Sequence, residues 1–405
     1  MGIGAVRSHS VLTTVGKYSP ALGRWGRTPQ PLDCWDTLLP TTAAVASRRR
    51  DRGGAHVPSD GVGETESDAF DPTRTVGEIG ERAILTMFTR AAAARPAGTA
   101  EDTPTTGDIV IGSGDDAAVF DVGPTVISTD TVVQDRHFRL DWSTPEQIGA
   151  RAVIQSAADI AAMGGRTVGV VVSLACPAHT EVGWVLRLND AIVCATHELG
   201  ARVLGGDLVQ ADEVVVSITV VGALDGLAPV TLSGARPGDV LAVSGPLGAA
   251  AAGLAVLSRS GPGPLERWRR VDDPRAAVAA AFLLPTPDLS QGMIAGRAGA
   301  HAMTDVSDGL VEELVTLARS SGVTVDVRAD AVPRPAAVTR TAALLGADIR
   351  RWVLTGGEDH QLLGSFAPGA VPAGWTAIGT VEAGPAAVVV DGEPLTELHG
   401  WQAFG

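Results

Sequence analysis

The sequence predicts two α/β domains behind a loose N-terminal tail. Three observations carry this reading. Strand-like and helix-like patterns alternate from Gly77 to about residue 225. A Pro/Gly-rich stretch, Gly226–Gly238, follows, and a second α/β pattern fills residues 239–405. The first 74 residues show neither period. With 405 residues, 45% of them hydrophobic, the chain can bury a sizeable core in two or three domains. The expected division is an extension over 1–74, a first domain over 75–235 and a second over 236–405.

Each element has a local reason. A helix opens near Gly77, with Ile79, Ile84, Leu85 and Phe88 at helical spacing. Thr125–Asp130 reads as a strand. Pro145–Met163 reads as an Ala-rich helix with proline in its first turn, where a missing N–H costs nothing. Val168–Ala175 is a β-branched run of the kind found in buried strands. Glu181–Leu199 sets Trp184, Leu188, Ile192, Ala195 and Leu199 on one helical face, and Gly200 stops the helix. Val203–Leu204 and Val214–Val221 are further strands. The second half predicts strands at Val240–Ser244, Val323–Val327, Gln361–Phe366, Trp375–Thr380 and Ala387–Val390. They surround a helix at Gly309–Ser320 carrying Leu310, Leu314 and Leu317. The polar stretch Ser260–Pro274 is expected to be exposed.

Charge and composition exclude several functions. The chain carries 46 acidic and 31 basic residues, a net charge of −15, which argues against nucleic acid as a partner. The longest apolar runs, such as Val168–Ala175 and Ala277–Leu284, fall far short of the roughly 20 residues that span a bilayer. Three cysteines (Cys34, Cys176, Cys194) without CxxC spacing rule out a disulfide framework and fit a reducing cytoplasm. Lys17 is the only lysine, and its surroundings lack a phosphate-loop glycine pattern. A Schiff-base enzyme, a Walker-A nucleotide site and a protein kinase are therefore excluded. Nucleotide phosphates would have to be held by metal ions, backbone amides or arginine. Residues 1–52 hold eight basic and three acidic residues against a strongly acidic remainder. This segment reads as a disordered tail, as upstream sequence behind a wrongly chosen start, or as an import signal.

Carboxylates recur where apolar strands end: Asp115 and Asp116, Asp130, Asp207, and Asp305 with Asp308. Asp159 lies in an alanine helix that offers it no partner. A buried carboxylate is costly unless paired, protonated or bound to metal. Plainer readings exist for each. Asp308 could cap a helix, Gly205-Gly206-Asp207 and Asp115-Asp116 could be turns, and Gly245-Pro-Leu-Gly could be there for packing rather than phosphate. Together, and with no lysine to answer them, hard oxygen ligands of this kind suit magnesium, which also bridges phosphate oxygens.

The motifs Gly112-Ser-Gly-Asp-Asp-Ala-Ala, Ser128-Thr-Asp with His137-Phe138 downstream, Ala158-Asp-Ile-Ala-Ala-Met-Gly, Gly205-Gly-Asp, Asp305-Val-Ser-Asp-Gly-Leu and Gly356-Gly-Glu-Asp-His occur in one order. That series closely resembles the thiamine-monophosphate kinase family, of the superfamily that also holds aminoimidazole ribonucleotide synthetase and selenophosphate synthetase. The resemblance runs from about Gly77 to the C-terminus, where Gly400-Trp401-Gln-Ala-Phe is similar to the family's close. It implies ATP-dependent phosphorylation of thiamine monophosphate to thiamine diphosphate by a homodimer whose N-terminal sheets pair. It further implies several magnesium ions on Asp116, Ser128, Thr129, Asp130, Asp159, Asp207, Asp305 and Asp308. Asp190, Gly206, Asp207 and Ser307 match ATP positions, and His137, Glu358 and Trp401 match substrate positions. Leu232 stands where many relatives carry an ATP-contacting arginine, with Arg236 nearby. Within the superfamily, selenophosphate synthetase is disfavoured by the lack of cysteine between Cys34 and Cys176, and the hydrogenase-maturation relative by the lack of a terminal cysteine. A multi-metal phosphohydrolase and a metal-binding module without turnover are the other readings.

Overall fold

A computed structural model describes residues 71–94, 109–111, 117–395 and 398–400. All of them fall in one compact unit, Ala55–Gly405. The expected sites Asp116 and Trp401, and the tail to residue 70, lie outside the described residues.

The first part is a four-stranded sheet covered on one face by two helices. Its strands are β3 (Thr125–Val133), β4 (Arg166–Cys176), β5 (Arg202–Gln210) and β6 (Val215–Ala223), in the order β3-β6-β4-β5. Only β4 and β5 run parallel, and the helix between them makes that crossover. Counting helices along the chain, α1 (Val76–Ile79) and α2 (Glu81–Ala94) precede the sheet, separated at Gly80, whose φ of +82° no L side chain adopts comfortably. A short β1/β2 pair (Ile109–Ile111, Val119–Phe120) follows them. Then come α3 (Pro145–Ala162) and α4 (Val182–Glu198), which pack together on the sheet. Thr144 caps α3 in a reciprocal capping box with Gln147, and Pro145 takes the first turn as expected. Gly149 lets the two helices touch: a Cβ there would lie 2.4 Å from the Leu188 carbonyl.

The second part is a seven-stranded mixed sheet, ordered β13-β12-β9-β11-β7-β10-β8. Its strands are β7 (Val240–Val243), β8 (Ala302–Asp305), β9 (Thr324–Val327), β10 (Leu362–Phe366), β11 (Thr376–Glu382), β12 (Ala387–Val390) and β13 (Glu393–Pro394). The helices are α5 (Ala249–Ser260), α6 (Leu265–Arg270), α7 (Pro274–Leu283), α8 (Gln291–Arg297), α9 (Leu310–Ser321), α10 (Ala336–Leu345) and α11 (Ile349–Thr355). Leu310, Leu314 and Leu317 of α9 bury into one core with Leu241, Val243, Val325 and Leu363 of the sheet.

Some expectations change. The stretch Ser260–Pro274 is not simply exposed, because it contains α6, anchored by Trp268 at 5% exposure beneath the Arg275 guanidinium. The strand expected at Val203–Leu204 continues to Gln210, and the one at Thr125 continues to Val133, so Asp207 and Asp130 sit within strands rather than at their ends. The paired glycines mimic a turn, yet Gly206 is there for close strand pairing: its Cβ would lie 2.4 Å from the Val172 carbonyl.

Ordered contacts begin ahead of residue 75. The carbonyls of Pro72 and Arg74 accept the amides of Gly183 and Val182, at 2.8 Å each. Removing residues 1–70 is expected to leave melting temperature and turnover unchanged, since that segment offers no apolar period to bury. A truncation series read by thermal melts and activity checks this, and cutting past Pro72 should begin to cost stability.

Candidate active site

The site forms where α3 meets both sheets. The last turns of α3 are nearly all alanine, and Ala161 and Ala162 pack against Ala242, Met303, Leu362 and Phe366 of the seven-stranded sheet. Small side chains allow this close approach. A Cβ on Gly292 of α8 would lie 2.1 Å from the Ala161 carbonyl. The alanine helix therefore does give Asp159 neighbours, supplied by other elements. Ser128 Oγ donates to Asp159 Oδ2 at 2.5 Å. On β3, period-2 alternation points Ser128 and Asp130 the same way.

Asp130, Asp159 and Asp308 each feel the charge of Asp305, at the end of β8, so four carboxylates share one cleft. Burial, reinforced by the neighbouring acids, raises all three, Asp159 to about 6. Glu313, in the first turn of α9, joins them. Burial and then Asp305 push it up to about 8, and its Oε1 accepts the Asp308 amide at 3.3 Å. Asp308 is not the helix cap, since Gly309 occupies that position at φ +116°. Among the described residues no three His, Cys, Asp or Glu side chains close around a single ion. The donors instead line the cleft as a spread of hard oxygens, an arrangement that suits ions shared with oxygens of a ligand.

A cavity of about 390 Å³ adjoins these acids. Ser307, Asp308, Gly357 and Glu358 form one wall, His137 and Arg151 another, and Phe282 and Trp352 supply apolar surface. The loop Gly356-Gly357-Glu358-Asp359-His360 is wedged tightly. A Cβ on Gly357 would lie 2.1 Å from the Ser307 carbonyl, which also accepts the Glu358 amide at 2.7 Å. Glu358 and His360 are both left-handed, at φ +69° and +51°, a conformation held only when the surroundings over-determine it. Asp359 turns away and caps α5, accepting the amides of Gly248 and Ala250. That helix start is filled by a carboxylate, so Gly245-Pro-Leu-Gly serves packing.

Glu358 and His360 belong to a chain of charges, buried at Arg151, His360 and Asp305 and part exposed at Glu358. Arg151 Nη2 lies 2.8 Å from Glu358 Oε2, His360 Nε2 lies 3.2 Å from the same oxygen, and His360 Nδ1 lies 3.1 Å from Asp305 Oδ2. Burial alone would raise Glu358, but Arg151 and His360 outweigh it and hold the carboxyl well below its usual range. Burial opposes the His360 charge, and Asp305 and Glu358 override that and keep the imidazolium.

His137 faces the cavity with Nδ1 accepting the Val133 amide at 3.0 Å, which assigns its proton to Nε2. Burial lowers its pKa. The chain returns to the cavity rim at His399 and Gly400, where the Gly400 amide donates to Glu312 at 2.8 Å.

Other expected positions lie elsewhere. Thr129 points to the opposite sheet face, where its Oγ1 pairs with Thr219 at 3.1 Å. Asp207 faces that same uncovered side, in register with Ser173. Asp190 is exposed on α4 and is not part of the cavity wall. Leu232 sits in a 3-10 turn, with its carbonyl accepting from Ser321. Arg236 is exposed, while Arg136, Arg151 and Arg351 line the cavity. Sequence reading did not single out these three arginines, His360, Glu313 or Phe282. The Gly-Gly-Glu-Asp-His motif was the only signal for any of them, and it marked His360 without a role.

Residues 114–224 match the family model for the N-terminal domain of AIR synthase related protein, and residues 236–391 match the model for its C-terminal domain. The chain is 44% identical over 334 residues to the thiamine-monophosphate kinase of Mycobacterium tuberculosis, covering 82% of this chain and 93% of that one. It is 38% identical over 345 residues to the Corynebacterium glutamicum enzyme of the same name, covering 83% and 97%. Among solved structures it resembles AaThiL complexed with AMPPCP and TMP, with a TM-score of 0.63 and 26% identity over 81% of this chain and 98% of that one. Thiamine-monophosphate kinase from Stenotrophomonas maltophilia gives a TM-score of 0.64 and 29% identity over 77% and 97%. The architecture is therefore the two-domain AIR synthase-like fold, α/β in class.

Proposed function

The chain belongs to the thiamine-monophosphate kinase family, and on that premise we propose that it transfers the γ-phosphoryl group of ATP to thiamine monophosphate, giving thiamine diphosphate. The observation that carries this reading is the set of mutually interacting carboxylates, Asp130, Asp159, Asp305 and Asp308, of which Asp308 lines a cavity walled by His137, Arg151 and Glu358.

Those carboxylates would repel both substrates, so the raised pKa values of Asp130, Asp159 and Asp308 and the oxygen-only donors fit magnesium, held by Asp130, Asp159, Asp305 and Asp308 with Ser128. Bound magnesium supplies charge neutralisation and alignment of the transferring group. Asp116 belongs to this set by sequence motif. Thr129 and Asp207 lie on the bare sheet face, which we propose pairs with a second copy to make a homodimer. The same face exposes Ile127, Val171 and Val209. Ser307, Gly206, Asp207 and Asp190 are the proposed ATP contacts.

The attacking atom is a phosphate oxygen of thiamine monophosphate, already ionised near neutral pH. Catalysis therefore needs positioning and electrostatics rather than a base. His137 carries its proton on Nε2, since Nδ1 accepts the Val133 amide and burial lowers its pKa, and Glu358 stays ionised to face a cationic ligand. We propose a division into an extension to residue 74, whose last residues Pro72 and Arg74 bond to α4, a domain over 75–235 and a domain over 236–405. Among the described residues no helix is long and apolar enough to cross a membrane, and we assign the protein to the cytoplasm.

A coupled ADP assay with thiamine monophosphate against free thiamine tests the function. ADP release only with the monophosphate is expected. Turnover with thiamine alone would sink the specificity, and phosphate release without acceptor would favour a phosphohydrolase. Trp401, next in the chain after the rim residues His399 and Gly400, is proposed to cover the thiazolium ring. Trp401→Ala should raise KM for thiamine monophosphate about three- to thirtyfold, with little change for ATP. Steady-state kinetics beside melting curves check this, and equal shifts in both KM values with lower stability would place Trp401 in the core.

A further inference from the structure

Arg151 stands on α3, beside the four-stranded sheet, yet its guanidinium is spent on the other half of the molecule. It is 2% exposed. Nη1 donates to the Phe282 carbonyl at 3.1 Å, the Phe282 ring lies 5.1 Å beneath the guanidinium carbon, and Nη2 holds Glu358 at 2.8 Å. Nε has no hydrogen-bond partner among the described residues. An arginine so committed is expensive to bury, and its cost has to be recovered somewhere.

The contacts of Glu358 indicate where. Arg151 and His360 both converge on Oε2. Oε1 takes no hydrogen bond from any described residue, while Glu358 lines the cavity. Two nitrogen donors on one oxygen fix the plane of the carboxylate and leave the other oxygen as an acceptor on a residue that lines the cavity. The backbone beneath it is locked left-handed by Gly357 and the Ser307 carbonyl. Resting on the function proposed above, the substrate offers one matching group, the exocyclic amine of its aminopyrimidine, an N–H donor at the end of the molecule away from its phosphate.

We propose that Arg151 is a positioning residue for acceptor recognition: by gripping Oε2 of Glu358 from across the boundary between the two sheets, it presents Oε1 to the amino group of the substrate's pyrimidine ring. A site built around an acceptor rejects a ligand that brings another acceptor, because two lone pairs then face each other and the ligand's oxygen loses its hydrogen bonds to water without replacement. The enzyme should accordingly discriminate against a thiamine monophosphate analogue in which that amine is replaced by oxygen.

The test compares kcat/KM for thiamine monophosphate and for the oxo analogue in wild type, Arg151→Met, Arg151→Lys and Arg151→Gln. In wild type the natural acceptor is preferred. In Arg151→Met that preference should fall about tenfold, the worth of one hydrogen bond to a charged group, with KM for ATP within about twofold of wild type. Lysine keeps the charge without the fork and should fall between. Glu358→Gln should erase most of the preference, and adding Arg151→Met to it should change the preference no further. If Arg151→Met does not fold, the ordering of Lys and Gln against wild type decides the matter in the same way. An unchanged preference in the variants, or parallel losses for both acceptors and for ATP, would overturn the proposal. Failure of wild type to use thiamine monophosphate at all would instead overturn the functional reading, and this proposal with it.

Discussion

Asp159→Asn should abolish turnover, lowering it on the order of a thousandfold, without weakening the metal-free fold. Asparagine keeps the acceptor for the Ser128 hydroxyl and removes a charge whose pKa burial has raised from 3.8 to about 6. The sign of the stability effect follows. The folded protein binds this proton more tightly than the unfolded chain, so the favourable contribution is full below pH 4 and is lost as pH rises through 6. Above that, the ionised Asp159 costs roughly 3 kcal/mol in the absence of metal. Glu313, raised to about 8, acts in the same direction over a higher range. Metal-free wild type should therefore melt progressively lower between pH 4.5 and 8, magnesium should reverse the loss, and the Asn variant should show a shallower pH dependence and little rescue. Melts in chelator and in magnesium across that range measure all three. A variant that unfolds more readily than wild type without metal would make Asp159 a structural residue.

Gly357→Ala carries the second large effect. Its Cβ would press on the Ser307 carbonyl, and backbone rather than a movable side chain stands in the way. The loop cannot shift freely, because the Glu358 amide is bonded to that same carbonyl and the His360 amide to that of Val306. Overpacking of this kind costs about 1–3 kcal/mol. The relief available is to move Ser307 and Glu358 apart, which misplaces the cavity wall, so the loss of kcat/KM should exceed what the fall in melting temperature suggests. Melting curves and kinetics on the variant settle it. A destabilised enzyme with unchanged kinetic constants would show that the loop position does not matter to the chemistry.

Much of the site was legible because strands and helices have simple periods. Alternation along β3 puts Ser128 and Asp130 on one face and Thr129 on the other, a separation the structure shows, whereas the motif alone set all three together among the magnesium positions. The strand-end reading worked for Asp305, where β8 stops, and failed for Asp207, where two glycines inside β5 imitate a turn. The helices of the second half were mostly missed. Helix α6 is a six-residue helix whose apolar positions, Leu265 and Trp268, stand among arginines and a glutamate, too short to show a period. Arg151 was invisible for another reason. On an isolated helix an arginine among alanines is indistinguishable from a solvated one, and only its meeting with Phe282 and Glu358, more than 130 positions later in the chain, gives it a role.

One rod, α3, carries Arg151 near its start and Asp159 near its end, eight residues apart. At about 1.5 Å of rise per residue the two lie roughly 12 Å apart along the axis. One grips the carboxylate proposed to read the acceptor's ring, and the other stands among those proposed to govern its phosphate. The helix then works as a ruler. On those two proposals it would select acceptors by the length between their heteroaromatic amine and their phosphate, before any chemistry is attempted. A single residue inserted between Arg151 and Asp159 would lengthen the ruler only slightly, yet it would rotate one mark about 100° relative to the other.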